Sequence, residues 1–164
     1  MKKLVILSAG LALAACNSDK EGTFQTDDGS TGTYSVDSSG DGGGTLTVKT
    51  QDGEFNVQSG PNAKIDPPAG FSLYPGAEVI SNTTLNGPSG KNATLTMNSK
   101  AALDQVVGFY RKQAETAGVE IKTEIKAGDA VMLGGETKSG MIFALNAGPA
   151  DKGGTTAHLS LSQK

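Results

Sequence analysis

The chain has 164 residues, with 14 basic side chains, 17 acidic ones and a single histidine, for a net charge of −3. One arginine, Arg111, and a mildly acidic balance argue against a nucleic-acid binder, which needs clustered Lys and Arg to neutralise phosphate, and equally against holding anionic lipid by charge. With no Trp, 5% aromatics and 23 glycines, well above the usual glycine share, the core must be modest and mainly aliphatic.

The first element is an apolar run. Lys2 and Lys3 precede residues 4–15, which carry no charge. Twelve helical residues span only about 18 Å against a hydrocarbon layer of roughly 30 Å, so a cleaved signal fits better than a spanning helix. The run ends Leu13-Ala14-Ala15-Cys16, small residues directly before the chain's one cysteine. This ending resembles the lipobox of bacterial lipoproteins. The resemblance implies that the Cys16 thiol receives a diacylglyceryl group, that cleavage falls just before it, and that Cys16 becomes the mature N-terminus. A buried structural cysteine is the competing reading. A lone cysteine rules out an intramolecular disulfide, and a free thiol would be out of place in an oxidising envelope. Two or three acyl chains anchor a protein stably. Asn17 follows the cysteine, which by the family's sorting rule favours the outer membrane of a Gram-negative cell, facing the periplasm. Removing residues 1–15 leaves 12 basic groups against 17 acidic ones.

Residues 16–32 read as the lipidated cysteine and a flexible tether, because NSDKEGTFQTDDGSTG buries too little to offset the entropy of ordering. Stretched out, it reaches about 50 Å. Residues 33–60 hold three short alternating runs. Tyr34 and Val36 share a face, as do Leu46 and Val48, and Phe55 and Val57. Gln51-Asp52-Gly53 makes a hairpin turn between the last two. These runs form a meander, a few rungs of a solenoid, or a partly ordered region. Residues 61–70, with Pro67-Pro68, read as a linker.

Residues 71–164 form the main domain. Pro75-Gly76 is a turn, Val79 and Ile80 lie on a strand, and Ala93, Leu95 and Met97 alternate with Thr94, Thr96 and Asn98. Ser99 is placed as an N-cap for a helix over about 100–117, whose apolar stripe runs through Leu103, Val106, Val107, Tyr110, Ala114 and Ala117. Gly118 supplies the left-handed stop. Val119, Ile121, Thr123 and Ile125 face one way; Glu120, Lys122, Glu124 and Lys126 face the other. AVML, MIFAL and TAHLSLS give three more strands. The expected fold class is α+β in two layers: one amphipathic helix packed on a mainly antiparallel sheet of five or six strands, preceded by short N-terminal strands and the tether. The segment PPAGFSLYPGAEVIS, followed by a Thr-rich strand and a helix with VVGFYRK, also resembles small uncharacterised bacterial lipoproteins with a YPGA lead-in. That likeness implies a fold and no activity.

Chemistry is sparse. His158 falls opposite the inward Ala157, Leu159 and Leu161, beside Ser160 and Ser162, with no nucleophile elbow to serve. One histidine is too few for a histidine-based metal site. LNGPSGKN has only the Gly90-Lys91 pair of a phosphate loop and leads into a strand. DDGS and DSSGDGGG lack the ligand spacing of a calcium loop. No carboxylate pair stands out for a hydrolase. What remains is surface: Thr94, Thr96, Asn98, His158, Ser160 and Ser162 could together hydrogen-bond a glycan or peptide if their strands are neighbours. Tyr74 and Phe71 could contact a partner or pack over the sheet edge. The reading is therefore a non-enzymatic, cofactor-free and metal-free envelope lipoprotein, held to the membrane through Cys16, that binds an envelope protein or glycan or serves a structural role. A carrier of a small apolar ligand, held in a cavity between helix and sheet, is the first alternative. A hydrolase of envelope polymer is the second.

Overall fold

The computed structural model describes residues 20–27, 29–38, 43–59, 67, 70–88 and 90–163. The leader, Cys16 and most of the 61–70 linker lie outside the described residues.

The described residues form ten strands: β1 (Lys20–Gln25), β2 (Thr31–Ser38), β3 (Gly44–Thr50), β4 (Gly53–Ser59), β5 (Glu78–Gly87), β6 (Gly90–Ser99), β7 (Glu120–Ala127), β8 (Ala130–Glu136), β9 (Ile142–Pro149) and β10 (Thr155–Gln163). The single helix among the described residues, α1 (Leu103–Thr116), lies between β6 and β7. All ten strands join one antiparallel sheet in the order β1-β2-β3-β4-β5-β6-β10-β9-β8-β7. This overturns the expected helix on five or six strands. The N-terminal strands are neither a separate meander nor a solenoid: β4 pairs directly with β5, from Glu54 opposite Asn86 to Ser59 opposite Ser81. Without β4, the N–H and C=O groups on that edge of β5 would be unpaired. The tether is shorter than expected too. Lys20–Gln25 forms β1, paired along its whole length with β2.

The sheet's two sides differ. The side that carries α1 is here the helix face, and the other the open face. On the helix face, β6 contributes Ala93, Leu95 and Met97, β9 contributes Phe143, Leu145 and Ala147, and β10 contributes Ala157, Leu159 and Leu161, all buried. Val106, Val107, Tyr110 and Ala114 of α1 pack onto them. Length explains the crossing. Fourteen helical residues run about 21 Å, and the four inter-strand steps from β6 to β7 cover about 19 Å. The helix can therefore carry the chain from one strand to the other across the intervening β10, β9 and β8. Each fully buried Leu, Met or Phe in this layer contributes roughly 1.5–3 kcal/mol.

Both helix ends are defined locally. The N-cap is Ala102, three residues later than expected, because β6 runs to Ser99 and the chain must turn before the helix can start. The Ser99 hydroxyl accepts the Ala101 N–H instead, at 3.1 Å. Ala102 has no side-chain acceptor to offer, and Gln105 Oε1 reaches back to the Ala102 N–H at 3.3 Å. At the other end Gly118 has φ 81°. Val119 N–H donates to Ala114 C=O and Gly118 N–H to Glu115 C=O, a Schellman pair.

The YPGA lead-in is a type II turn: Ala77 N–H donates to Tyr74 C=O at 3.0 Å, with Pro75 then Gly76 (φ 75°) in the two central positions. The segment before it is clipped to α1. Gln113 accepts the Ser72 N–H at 2.8 Å and donates to the Ser72 hydroxyl at 2.9 Å. Tyr74 N–H donates to the Tyr110 hydroxyl at 3.0 Å.

The alternation expected for VEIKTEIK holds only through its first half. A bulge between Ile121 and Thr123 shifts the register. Glu124, opposite buried Leu133, then sits on the helix face and pairs with Arg111 of α1 at 2.8 Å. Ile125, opposite Met132, moves to the open face and is 47% exposed.

Candidate binding surfaces

Three surfaces come out of this architecture. The first is the polar patch expected from the sequence. β6 and β10 are neighbours, so Thr94 lies opposite Ser160 and Thr96 opposite His158. Thr96 Oγ1 and His158 Nδ1 are 3.0 Å apart. Asn98 lies opposite Thr156, whose hydroxyl donates to Asn98 Oδ1 at 2.7 Å. Thr94, Thr96, Asn98, His158 and Ser160 thus share the centre of the open face, with Ser162 opposite Asn92 next to them. Several of these groups satisfy one another, which is what cross-strand polar pairs do towards water. Tyr74 does not join them. It packs edge-on against Phe109 of α1, with ring centroids 5.1 Å apart, on the other side of the sheet. Phe71 is buried and stacks on Phe143 at 5.7 Å. Cys16 lies outside the described residues.

The second surface lies along the outer edge of α1. Gly70, Phe109, Lys112, Gln113, Thr116 and Ala117 line a half-open hollow of about 520 Å³. That is within the roughly 300–1,000 Å³ range of small-ligand sites. Phe109 and Ala117 give it an apolar wall, and Lys112 and Gln113 put an ammonium and an amide at the rim. Phe109, Lys112, Gln113 and Thr116 sit on the flank of the helix stripe, whose last residue, Ala117, closes the hollow at the helix end.

The third surface was half visible in the sequence. Tyr34 and Val36, Leu46 and Val48, and Phe55 and Val57 share faces as expected. Pairing shows that all six lie on the same side. Val36 is opposite Leu46, Leu46 opposite Val57, and Val57 opposite Thr83, which is opposite Thr94 on the open face. In the N-terminal half, then, the apolar side of the sheet is the one away from the helix. Phe24, Tyr34 and Leu85 on that side are 36%, 38% and 45% exposed, and the valines, Leu46 and Phe55 are only half-buried.

Burial pushes the Tyr110 hydroxyl up to about 12, offset in part by the hydrogen bond from the Tyr74 backbone. On the open face, the Glu136 carboxylate accepts a hydrogen bond from Lys122, which lowers Glu136 and raises Lys122. Among the described residues no group of three or more His, Cys, Asp or Glu could hold a metal ion. Nor is any helix among them long and apolar enough to cross a membrane.

A protein-family model described as START domain-like matches residues 79–157. That stretch runs from β5 through α1 to the start of β10, and includes every residue of the α1 hollow except Gly70. No curated protein and no solved structure matches the chain.

Proposed function

We propose that the chain is a non-catalytic binding module that takes a small apolar ligand, tied to the cell envelope by a lipid on Cys16. The observation that carries the ligand reading is the START domain-like match over 79–157, a likeness to ligand-binding and specifically lipid-binding modules. The hollow beside α1 is the place that suits such a ligand. Phe109 and Ala117 would line an apolar chain, and Lys112 would meet an acidic head group at the rim. The ligand would lie at the helix edge, because the centre of the helix–sheet layer is occupied by Met97, Tyr110, Leu145 and Leu159, each at most 1% exposed.

A fluorescent fatty acid titrated into the protein tests this reading. Binding is expected, and Thr116→Trp, which fills the hollow from an exposed helix position, should weaken it by about tenfold or more, a loss of at least ~1.4 kcal/mol. No binding, or unchanged binding by a folded Thr116→Trp variant, would remove the ligand reading.

The anchor has its own support in Lys2, Lys3, the uncharged run to Ala15 and the LAAC ending. Cys16→Ala should release the protein from the membrane fraction and leave the leader uncut. A Cys16→Ala chain that remained processed and membrane-bound would overturn the anchor. Asn17 favours the outer membrane, with the module on its periplasmic side.

A further inference from the structure

We infer that the open face of β1–β4 lies against the surface of the lipid bilayer. The inference rests on the lipid-anchor part of the reading above and extends it from one attachment point to a defined side of the fold.

Chain length is the first argument. Only residues 17–19 separate Cys16 from β1, which begins at Lys20. Three intervening residues span at most about 14 Å. An acylated Cys16 therefore holds the β1 edge of the sheet at the membrane. The four strands β1–β4 are themselves only about 14 Å across at ordinary strand spacing. The whole face lies within roughly one tether length of the edge that the anchor holds.

Charge is the second argument. Of the charged residues in β1–β4, Glu21, Asp37, Lys49 and Glu54 all point to the helix side of the sheet, as their pairings with Ser35, Thr45, Thr33 and Asn86 show. The one charged residue of these strands on the open face is Lys20, opposite Val36. A face with no carboxylate and one ammonium at its border suits lipid, whose phosphates would meet Lys20.

Surface shape is the third. A Cβ added at Gly22 would fall 2.5 Å from the Tyr34 ring, and one at Gly32 would fall within 3 Å of the Phe24 ring. Both rings thus lie across glycines of the neighbouring strand. Together with Val36, Leu46, Val48, Phe55 and Val57 they make a low apolar sheet. Rings laid along the sheet in this way suit a fluid acyl and head-group boundary, which needs no shape to key into.

The test uses the intact lipidated protein in vesicles of neutral phosphatidylcholine. With Cys16 acylated, an introduced cysteine is the only reactive thiol. Val48→Cys places a nitrobenzoxadiazole dye on the open face, and Thr47→Cys places it on the opposite side. Leu46→Cys repeats the open-face measurement should Val48→Cys disturb folding. The dye at 48 or 46 should shift to the blue, lose most of its emission to nitroxide-labelled phosphatidylcholine, and be shielded from aqueous iodide. The dye at 47 should remain open to iodide. Equal iodide access on both sides, with the N-terminal lipid confirmed by mass spectrometry, would overturn this inference and leave the anchor standing. Shielding at 48 that nitroxide lipid does not quench, and that grows with protein density, would overturn it in favour of a second copy of the chain. An unacylated Cys16 would overturn the anchor, and the inference with it.

Discussion

Tyr110→Phe removes one oxygen from the centre of the molecule and should have two separable effects. The hydroxyl accepts the Tyr74 N–H at 3.0 Å and donates to Met97 Sδ at 3.0 Å, on a side chain with no solvent exposure. Its loss leaves a part-buried backbone N–H without that partner, at a cost of about 1–3 kcal/mol near neutral pH. The second effect depends on pH. Burial holds the folded-state Tyr110 at about 12, from an ordinary 10. The phenol is neutral in the folded protein while its unfolded counterpart ionises, so its contribution is complete below pH 10 and lost as pH rises through 12. Two pKa units correspond to about 2.7 kcal/mol. Urea unfolding followed by circular dichroism from pH 7 to 12, on wild type and Tyr110→Phe, isolates this contribution, because lysines and the other tyrosines are common to both chains. The stability gap should shrink, and by pH 12 should be nearly gone or reversed. A gap that stayed constant from pH 10 to 12 would show that the pocket formed by Met97, Tyr74 and the helix does not hold the phenol neutral.

Other substitutions probe the packing and turns. Leu145→Ala, at 0% exposure between sheet and helix, should cost about 2–5 kcal/mol, whereas Leu85→Ala, 45% exposed on the open face, should cost under ~1 kcal/mol; equal losses by urea denaturation would contradict the assignment of sides. Gly154 (φ 86°) has Ser99 C=O only 2.1 Å from where a Cβ would stand, while Gly76 (φ 75°) has nothing within 4 Å. Gly76→Ala should therefore cost about 1–2 kcal/mol for its backbone angle alone, and Gly154→Ala distinctly more, as a shift in unfolding midpoint would show. Ala102→Ser should raise stability by about 0.5–1 kcal/mol by giving α1 the side-chain cap it lacks, and an unchanged thermal midpoint would argue that the Gln105 contact already suffices.

Periodicity made the strands and the helix legible, because it is a property of adjacent residues. The alternation of Ala93, Leu95 and Met97, the α1 stripe and the Gly118 stop can all be read without knowing what lies opposite. Sidedness and sheet membership cannot. Lys20–Gln25 holds a single large apolar residue, Phe24, and looks like a tether until β2 is set beside it, when the Phe24 and Tyr34 rings fall across Gly32 and Gly22. The glycine- and proline-rich linker likewise suggested a break in the fold. What it hides is the ladder between β4 and β5, whose pairs run from Ser59 with Ser81 to Glu54 with Asn86, 22 to 32 residues apart in sequence. The bulge in β7 is a third case. Nothing in VEIKTEIK announces it, and the contact that accompanies it is non-local: past the bulge Glu124 pairs with Arg111 on the helix. Of the site residues, Thr94, Thr96 and Asn98 on one strand and His158 and Ser160 on another were legible as outward faces because β6 and β10 both alternate cleanly; that the two strands are neighbours comes only from their pairing. The hollow was not legible, because Phe109, Lys112 and Thr116 lie off the apolar stripe.

The switch of apolar side partway along one sheet bears on function. A sheet built only for stability would place its large apolar side chains where the helix covers them. From β6 to β8 it does so for most of them, with Met132 and Ile142 as the exceptions on the open face. From β2 to β4 it places Tyr34, Val36, Leu46, Val48, Phe55 and Val57 on the bare side and turns Glu21, Lys49 and Glu54 towards the side that α1 shares but does not reach. Each half-exposed aliphatic residue forgoes part of the ~25 cal/mol per Å² that burial would return. Such a face is recovered only by contact with something apolar. The α1 hollow and this face are on opposite sides of the sheet, so a bilayer against β1–β4 would leave the hollow open for a ligand. The two proposals are therefore compatible in space, and each can fail without the other.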